Sequence, residues 1–416
     1  MQFERFIARR FMPRKGGGFS GPLSSIAVAG IALGVLVMVM AVSILRGFQA
    51  DIRNKVSGFG SHLTVSSFSA DLAYADIPVT YDSALVAALN ATPGVKHLQC
   101  YANKGGMVKT DDQIYGILFR GLSTDYDTTF FASCLAEGHL PAFGDKPSND
   151  VLVSTTIAAK LHLAVGDKMR TYFWQAGTAG SNTVADGTYR SRAFTVCGLY
   201  NTDLTEMDEL YVVGDLRQVQ RIEGWGDSLV GGYEMLVDDF NRLDETAAAV
   251  LARLPYDLQL VTVRQANPAL FSWLDLLDAN ITLILTIMCL VSAVAIVSAL
   301  LIMIFEKSAT VGLLKALGAC NRSVRRIFLL KASRLIAAGI LIGDAVALAL
   351  SYIQFRWHPL ALDPESYSMA HVPVQINLWV YLAVSLGTLA VCLLALLLPA
   401  RYISHISPAK TMRIEN

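Results

Sequence analysis

Three stretches of this chain carry no charged side chain: Leu23–Leu45, Ile281–Phe305 and Leu378–Ala400, of 23, 25 and 23 residues. Each exceeds the roughly 20 residues that an α-helix needs to cross about 30 Å of hydrocarbon. A fourth stretch, Leu335–Phe355, is interrupted by one acid, Asp344. Such segments commit the chain to a bilayer, and whatever lies between them must fold on one side of it. Composition agrees: only 16% of residues are charged, against about a quarter in a soluble domain.

The formal charge is zero, which argues against a generic nucleic-acid binder, but it is unevenly distributed. Segments 1–23, 306–334 and 400–416 together carry a net +12, and 46–280 carries −10. Short basic flanks stay in the cytoplasm, which puts both termini inside and predicts four spans. The predicted divisions are a cytoplasmic amphipathic N-terminal helix (1–22), helix 1 (23–47), an outside domain (48–278), helix 2 (279–305) and a cytoplasmic loop (306–330). Helix 3 (331–355), an outside loop (356–377), helix 4 (378–400) and a cytoplasmic tail (401–416) complete them. The first apolar run is longer than the h-region of a signal peptide, about 7–15 residues, and is expected to be retained. Before it, Phe3, Phe6, Ile7 and Phe11 recur at helical spacing among Arg5, Arg9 and Arg10. An interfacial amphipathic helix and a plain basic topogenic tail both fit that pattern.

The outside domain reads as mixed α and β. Apolar residues Phe48, Ile52, Val56 and Phe59 continue the first span at a spacing of three or four, as do Leu270, Phe271, Leu274 and Leu277 before the second. Both spans are therefore expected to continue as amphipathic stalks. Between them, strands are predicted at His62–Phe68, Val151–Val153, Lys168–Trp174, Phe194–Tyr200, Glu209–Val213, Tyr233–Val237 and Leu258–Val263. Helices are predicted at Ser83–Asn90, Thr155–Leu163 and Leu243–Leu254, two of which run into a proline and then a strand-like stretch. This suggests a split βαβ subdomain beside a more β-rich one. Trp174–Arg192 is polar and rich in glycine, with an Asp186-Gly187 turn signal, and reads as a protruding hairpin or loop.

Catalytic chemistry finds no foothold. Cys100, Cys134 and Cys197 in the outside domain allow at most one disulfide, no CxxC or His/Cys cluster suggests a metal, and the histidines are scattered. No G-x-x-x-x-G-K-[ST], G-x-S-x-G or H-E-x-x-H occurs. If the protein runs on ATP, another chain hydrolyses it, and no cofactor is expected on this one. The cytoplasmic loop is more specific. Glu306 and Lys307 lead into Ser308–Ala319, where Val311 and Leu314, with Leu317 one turn on, form an apolar stripe; Gly312 and Lys315 sit among them and Gly318 provides a stop. A short helix between two spans suits docking in a groove of a cytosolic partner.

That stretch resembles the coupling region of the FtsX/MacB-type (type VII) ABC transporter permeases, and within them the LolC/LolE-like lipoprotein-releasing subunits. Ala29–Val35 and Arg46-Gly47-Phe48 resemble the family's first span and its exit. Val165–Lys168, Val196–Tyr200, Gly232–Glu234, Phe271–Leu274 and Pro408–Arg413 resemble later landmarks. Thr310 departs from the acid that many relatives carry there. The resemblance implies an integral membrane α-helical protein of four transmembrane helices, with a large α+β periplasmic domain of MacB-like core type inserted between helices 1 and 2. It implies location in the bacterial inner (cytoplasmic) membrane and extraction of outer-membrane lipoproteins for a periplasmic LolA-like carrier. The implied partners are a cytosolic LolD-like ABC ATPase, which holds ATP and Mg, a second permease subunit (a homodimer or a LolC/LolE-like heterodimer) and the lipoprotein substrate. Glu306, Lys307, Val311, Gly312, Leu314, Lys315 and Gly318 would meet the ATPase, and Trp174, Asp186, Gly187 and Arg192 the carrier. Leu36, Met40, Ile44 and Phe48, with Met38, would line an acyl path, whereas ordinary packing or lipid contact is the alternative for each. Gly30 and Gly34 allow close helix approach within the subunit or at a dimer seam. Asp344 is expected to find a partner, with Ser292 and Ser298 as candidates. An FtsX-like mechanotransmitting regulator of cell-wall hydrolases and a MacB-like efflux permease are the rival readings.

Overall fold

A computed structural model describes residues 20–68, 76–110, 113–144, 146–175, 188–362, 369, 371–397 and 399. The expected N-terminal amphipathic helix, the C-terminal tail, Asp186 and Gly187 therefore lie outside the described residues. In chain order the elements begin with α1 (Ser20–Gly60), β1 (Leu63–Ser67), β2 (Val79–Thr80), α2 (Ser83–Asn90), β3 (Val95–Lys109), β4 (Ile114–Leu122), α3 (Thr129–Cys134) and β5 (Leu135–Gly138). There follow β6 (Asp150–Ser154), α4 (Thr155–Leu161), β7 (Lys168–Gln175), β8 (Thr188–Tyr200), α5 (Thr205–Asp208), β9 (Tyr211–Asp215), α6 (Leu216–Glu223), β10 (Leu229–Val230) and β11 (Gly232–Val237). The last are α7 (Leu243–Leu251), β12 (Leu258–Thr262), α8 (Val263–Ala266), α9 (Pro268–Glu306), α10 (Ser308–Ala316), α11 (Asn321–Trp357) and α12 (Leu378–Ala395).

Among the described residues, four helices, α1, α9, α11 and α12, are long and apolar enough to cross a membrane. α1 and α9, of 41 and 39 residues, continue well past a single span, as the stalk pattern requires. α11 starts at Asn321, so the basic residues Arg322, Arg325 and Arg326 occupy its first turns and not a loop. The chain divides into a membrane unit (1–50, 272–361 and 372–416) and a globular unit (51–271 and 362–371).

Glycine and polar residues organise the membrane unit. A Cβ on Gly343 of α11 would lie 2.6 Å from the Ala32 carbonyl oxygen of α1, and one on Gly339 would lie 2.9 Å from the Ile31 Cβ. This second Gly-xxx-Gly is what brings α1 and α11 together. Gly30 and Gly34 face α9, at Ala295 and Ser292, which assigns the first pair to packing within the subunit. The buried face of α12 is Tyr381, Ser385, Thr388 and Cys392. Ser43 donates to the Tyr381 hydroxyl at 3.2 Å, and Tyr381 donates to Ser351 at 3.0 Å, so one chain of hydrogen bonds crosses α1, α12 and α11.

In the globular unit, six strands close on themselves in the order β3-β4-β9-β6-β8-β7, with β7 returning to β3. Phe119, Phe173 and Phe194 are all but inaccessible and fill this ring; Phe119 stacks on Phe194 at 4.9 Å. From β3 the same sheet continues outward through β11, β1 and β12. The order β12-β1-β11-β3, with α2 between β1 and β3 and α7 between β11 and β12, is the split βαβ part expected from the sequence, and it packs beside the more β-rich ring. The 15-residue strand β3 belongs to both parts, because residues 95–101 pair with β11 while 101–109 pair with β4. At Gly121 a Cβ would sit 2.7 Å from the Leu216 Cα, so only glycine lets α6 approach β4 this closely.

Candidate functional sites

The segment after α9 forms a two-turn helix, α10, ended by Gly318 at φ +90°, where Gly318 N–H donates to Lys315 O and Ala319 N–H to Leu314 O. Lys307 lies 3.7 Å from Glu306. The expected stripe is split between two faces, with Val311 turned inward and Leu317 outward. Val311 is fully buried, in one apolar cluster with Ile304, Val324 and Phe328, and Gly312 is buried beside it. Leu314 and Lys315 are half-buried. The outward apolar face is Leu313 and Leu317, 56% and 78% exposed and one turn apart. A helix pressed against its own bundle must turn its strongest apolar position inward, and helical periodicity alone does not say which face that is.

Leu36 and Met40, expected along an acyl path, are half-buried. Met38 is 1% exposed, and Leu36 and Met40 pack against the same internal cluster. Ser351 donates to the Met40 sulfur at 3.3 Å. Ile44 and Phe48 are half-buried, with Phe48 edge-on to Trp273 at 5.3 Å. Among the described residues of α1, the large apolar side chains that stand clear of the protein are Ile26 and Leu33. Asp344 meets neither Ser292 nor Ser298; its carboxylate oxygens lie 2.8 and 2.7 Å from the Ser385 hydroxyl of α12.

Trp174 and Arg192 stand on β7 and β8, which pair antiparallel from Lys168↔Thr195 to Gln175↔Thr188. The ladder therefore reaches well into the interval read as a protruding hairpin or loop. Its exposed end carries an edge-to-face pair, Trp174 on Tyr189 at 5.0 Å. Asp186 and Gly187 fall outside the described residues.

Sequence reasoning missed a buried polar centre where α1 gives way to β1. Arg120 of β4 pairs with Glu234 of β11, both nearly inaccessible, and its guanidinium lies over the rings of Phe59 and Tyr101 at 5.3 and 5.5 Å. Gln99 of β3 donates to Glu234 and to Ser61, and its carbonyl accepts from Asp127 N–H. Asp76 accepts from Asn103 N–H at 2.6 Å, and burial pushes its carboxyl up to about 6. The signal available was Glu234 itself, a lone acid inside the apolar run Gly232–Val237.

Next to this centre, burial and the charge of Lys96 push His62 down to about 4, and its Nδ1 accepts from Val237 N–H at 3.1 Å. Between pH 6.5 and 4 the unfolded chain protonates His62 and the folded one does not, so acid favours unfolding. The folded unit should lose up to about 3 kcal/mol across that window. His62→Asn keeps an acceptor near the Nδ1 position without titrating, so its melting temperature should fall less between pH 7 and pH 4.5. An equal fall in both proteins would exclude His62 as the source.

The described chain thus carries four helices long enough to span a membrane, a short helix between the second and third, and an α+β unit between the first and second in sequence. The MacB-like periplasmic core domain matches residues 24–253, and the FtsX-like permease C-terminal domain matches residues 282–408. The chain belongs to this family of ABC transporter permeases. It is 25% identical over 424 residues to the lipoprotein-releasing system transmembrane protein LolC of Xylella fastidiosa (strain Temecula1 / ATCC 700964), covering 98% of this chain and 97% of that one. LolC of Neisseria meningitidis serogroup B is 23% identical, with 99% of each chain covered, and LolE of Haemophilus influenzae is 20% identical, with 94% of each covered. Among solved structures, the periplasmic region of MacB from Actinobacillus actinomycetemcomitans aligns with 50% of this chain and 91% of its own at 10% identity, with a TM-score of 0.33.

Proposed function

We propose that this chain is the transmembrane subunit of an ABC transporter that extracts outer-membrane lipoproteins from the inner membrane. A separate ATPase binds ATP and Mg, and a periplasmic carrier receives the cargo. The observation that carries the reading is the near full-length similarity to proteins named as lipoprotein-releasing transmembrane subunits. The physics of the cargo fits. Each buried acyl CH₂ contributes about 0.8 kcal/mol to membrane retention, so a multiply acylated protein needs external work to leave. On this reading the α+β unit stands in the periplasm, and a second permease subunit completes the path.

The exposed Leu313 and Leu317 then meet the ATPase, and the β7–β8 hairpin meets the carrier. Gln175 and Thr188 are cross-strand partners, so an Asn-Gly turn can join them directly when residues 176–187 are deleted. The deletion variant should fold and bind its ATPase as before but fail to retain a purified periplasmic lipoprotein carrier in pull-down. Capture at the wild-type level would show that the hairpin is not the docking element. Co-purification from membranes tests the wider reading: an ABC ATPase and acylated lipoprotein should come with the chain, and a cell-wall hydrolase in their place would favour the regulator.

A further inference from the structure

We propose that Ser61, Gln99, Arg120 and Glu234 form a rigid joint that makes the end of α1 and the sheet of the globular unit move as one body. The joint is argued from the fold and not from the permease reading.

A helix that passes into a strand through two residues would ordinarily be a hinge. Here the passage is Ser61-His62, and Ser61 holds φ at +60°, a conformation that non-glycine residues adopt only when their surroundings impose it. The surroundings are on hand. The Ser61 hydroxyl lies 3.4 Å from Glu234 and accepts from Gln99 at 3.1 Å. Glu234 is fixed in turn by Arg120, whose guanidinium lies over Phe59, the last aromatic residue of α1. One buried ion pair thus touches both sides of the bend. The next residue is pinned through its backbone: His62 N–H donates to Met235 O at 3.1 Å, and His62 O accepts from Val263 N–H at 2.9 Å. Ser61, Gln99, Arg120 and Glu234 are each no more than 4% exposed, so water offers no competing partners. Each of the four side chains is held by at least one buried partner, although Arg120 Nε finds no acceptor, and a buried network of this kind favours one geometry.

The test reads rigidity and not stability. Nitroxides are introduced by unnatural amino-acid incorporation at Asn54 on α1 and Ala252 after α7, both exposed, in the full-length protein in nanodiscs. Double electron–electron resonance should give one narrow distance in the wild type. In Arg120→Met/Glu234→Leu, whose apolar side chains keep the site filled, the distribution should broaden while circular dichroism stays unchanged. Lys104→Met/Glu223→Leu removes another largely buried pair elsewhere in the unit and should leave the distribution narrow. A joint variant as narrow as the wild type, or a control that broadens equally, would overturn the proposal. Neither result depends on transport, so the permease reading stands or falls separately.

Discussion

Arg120→Leu should destabilise the globular unit by about 3–5 kcal/mol, because it leaves the Glu234 carboxylate buried without its counter-charge. Glu234 is 2% exposed and would retain only Gln99 and Ser61 as partners. Removing both charges should behave differently. Apolar replacement of a whole buried pair is often near neutral, since the desolvation of two ions is avoided along with their attraction. Denaturant unfolding of the two variants beside the wild type checks this. If the single change costs less than about 1 kcal/mol, the pair is not desolvated as the structure implies.

The second large effect lies on α10. Leu313→Asp/Leu317→Asp should leave the protein inserted and folded but strongly weaken its assembly with the ATPase. Burying two leucines of this exposure contributes roughly 3 kcal/mol, so their loss weakens association on the order of a hundredfold. Val311→Asp tests the assignment of faces. That side chain is wholly buried within the membrane unit, so the change should lower the amount of protein in the membrane before any effect on assembly appears. Titration of purified ATPase against the variants in nanodiscs separates the two outcomes. Wild-type affinity in the Leu313/Leu317 variant would remove α10 from the interface.

The spans were legible because charge-free length is a one-dimensional property, and α2 came out at Ser83–Asn90 as read. Strands β1, β6, β7 and β11 also fell where alternation or apolar runs placed them. β4 was missed, and β3 was seen only as a strand-like continuation after Pro93-Gly94. Lys96, Gln99, Asn103, Lys104 and two adjacent glycines make β3 look like loop, although it is the strand that both parts of the sheet share. Its polar residues are tolerated because Gln99 and Lys104 find buried partners contributed by β11 and α6, which no local window contains. The same reasoning covers α10 and Asp344. Sequence shows that a residue is apolar or costly, but its facing surface is supplied by a segment far away in the chain.

The polar buried face of α12 has a consequence for how the protein is made. An aspartate at the centre of a spanning helix opposes its release into lipid by about 3 kcal/mol, and Asp344 sits midway along the apolar part of α11. Its hydrogen-bond partner Ser385 arrives only with the next helix to be translated. The third span therefore leaves the insertion machinery incompletely satisfied, and the fourth, greasy on its outer side and hydroxyl-bearing on its inner, completes it. A chain cut short before Leu378 would present an orphaned carboxylate inside the bilayer, the kind of mark by which membrane quality control distinguishes unfinished chains from finished ones.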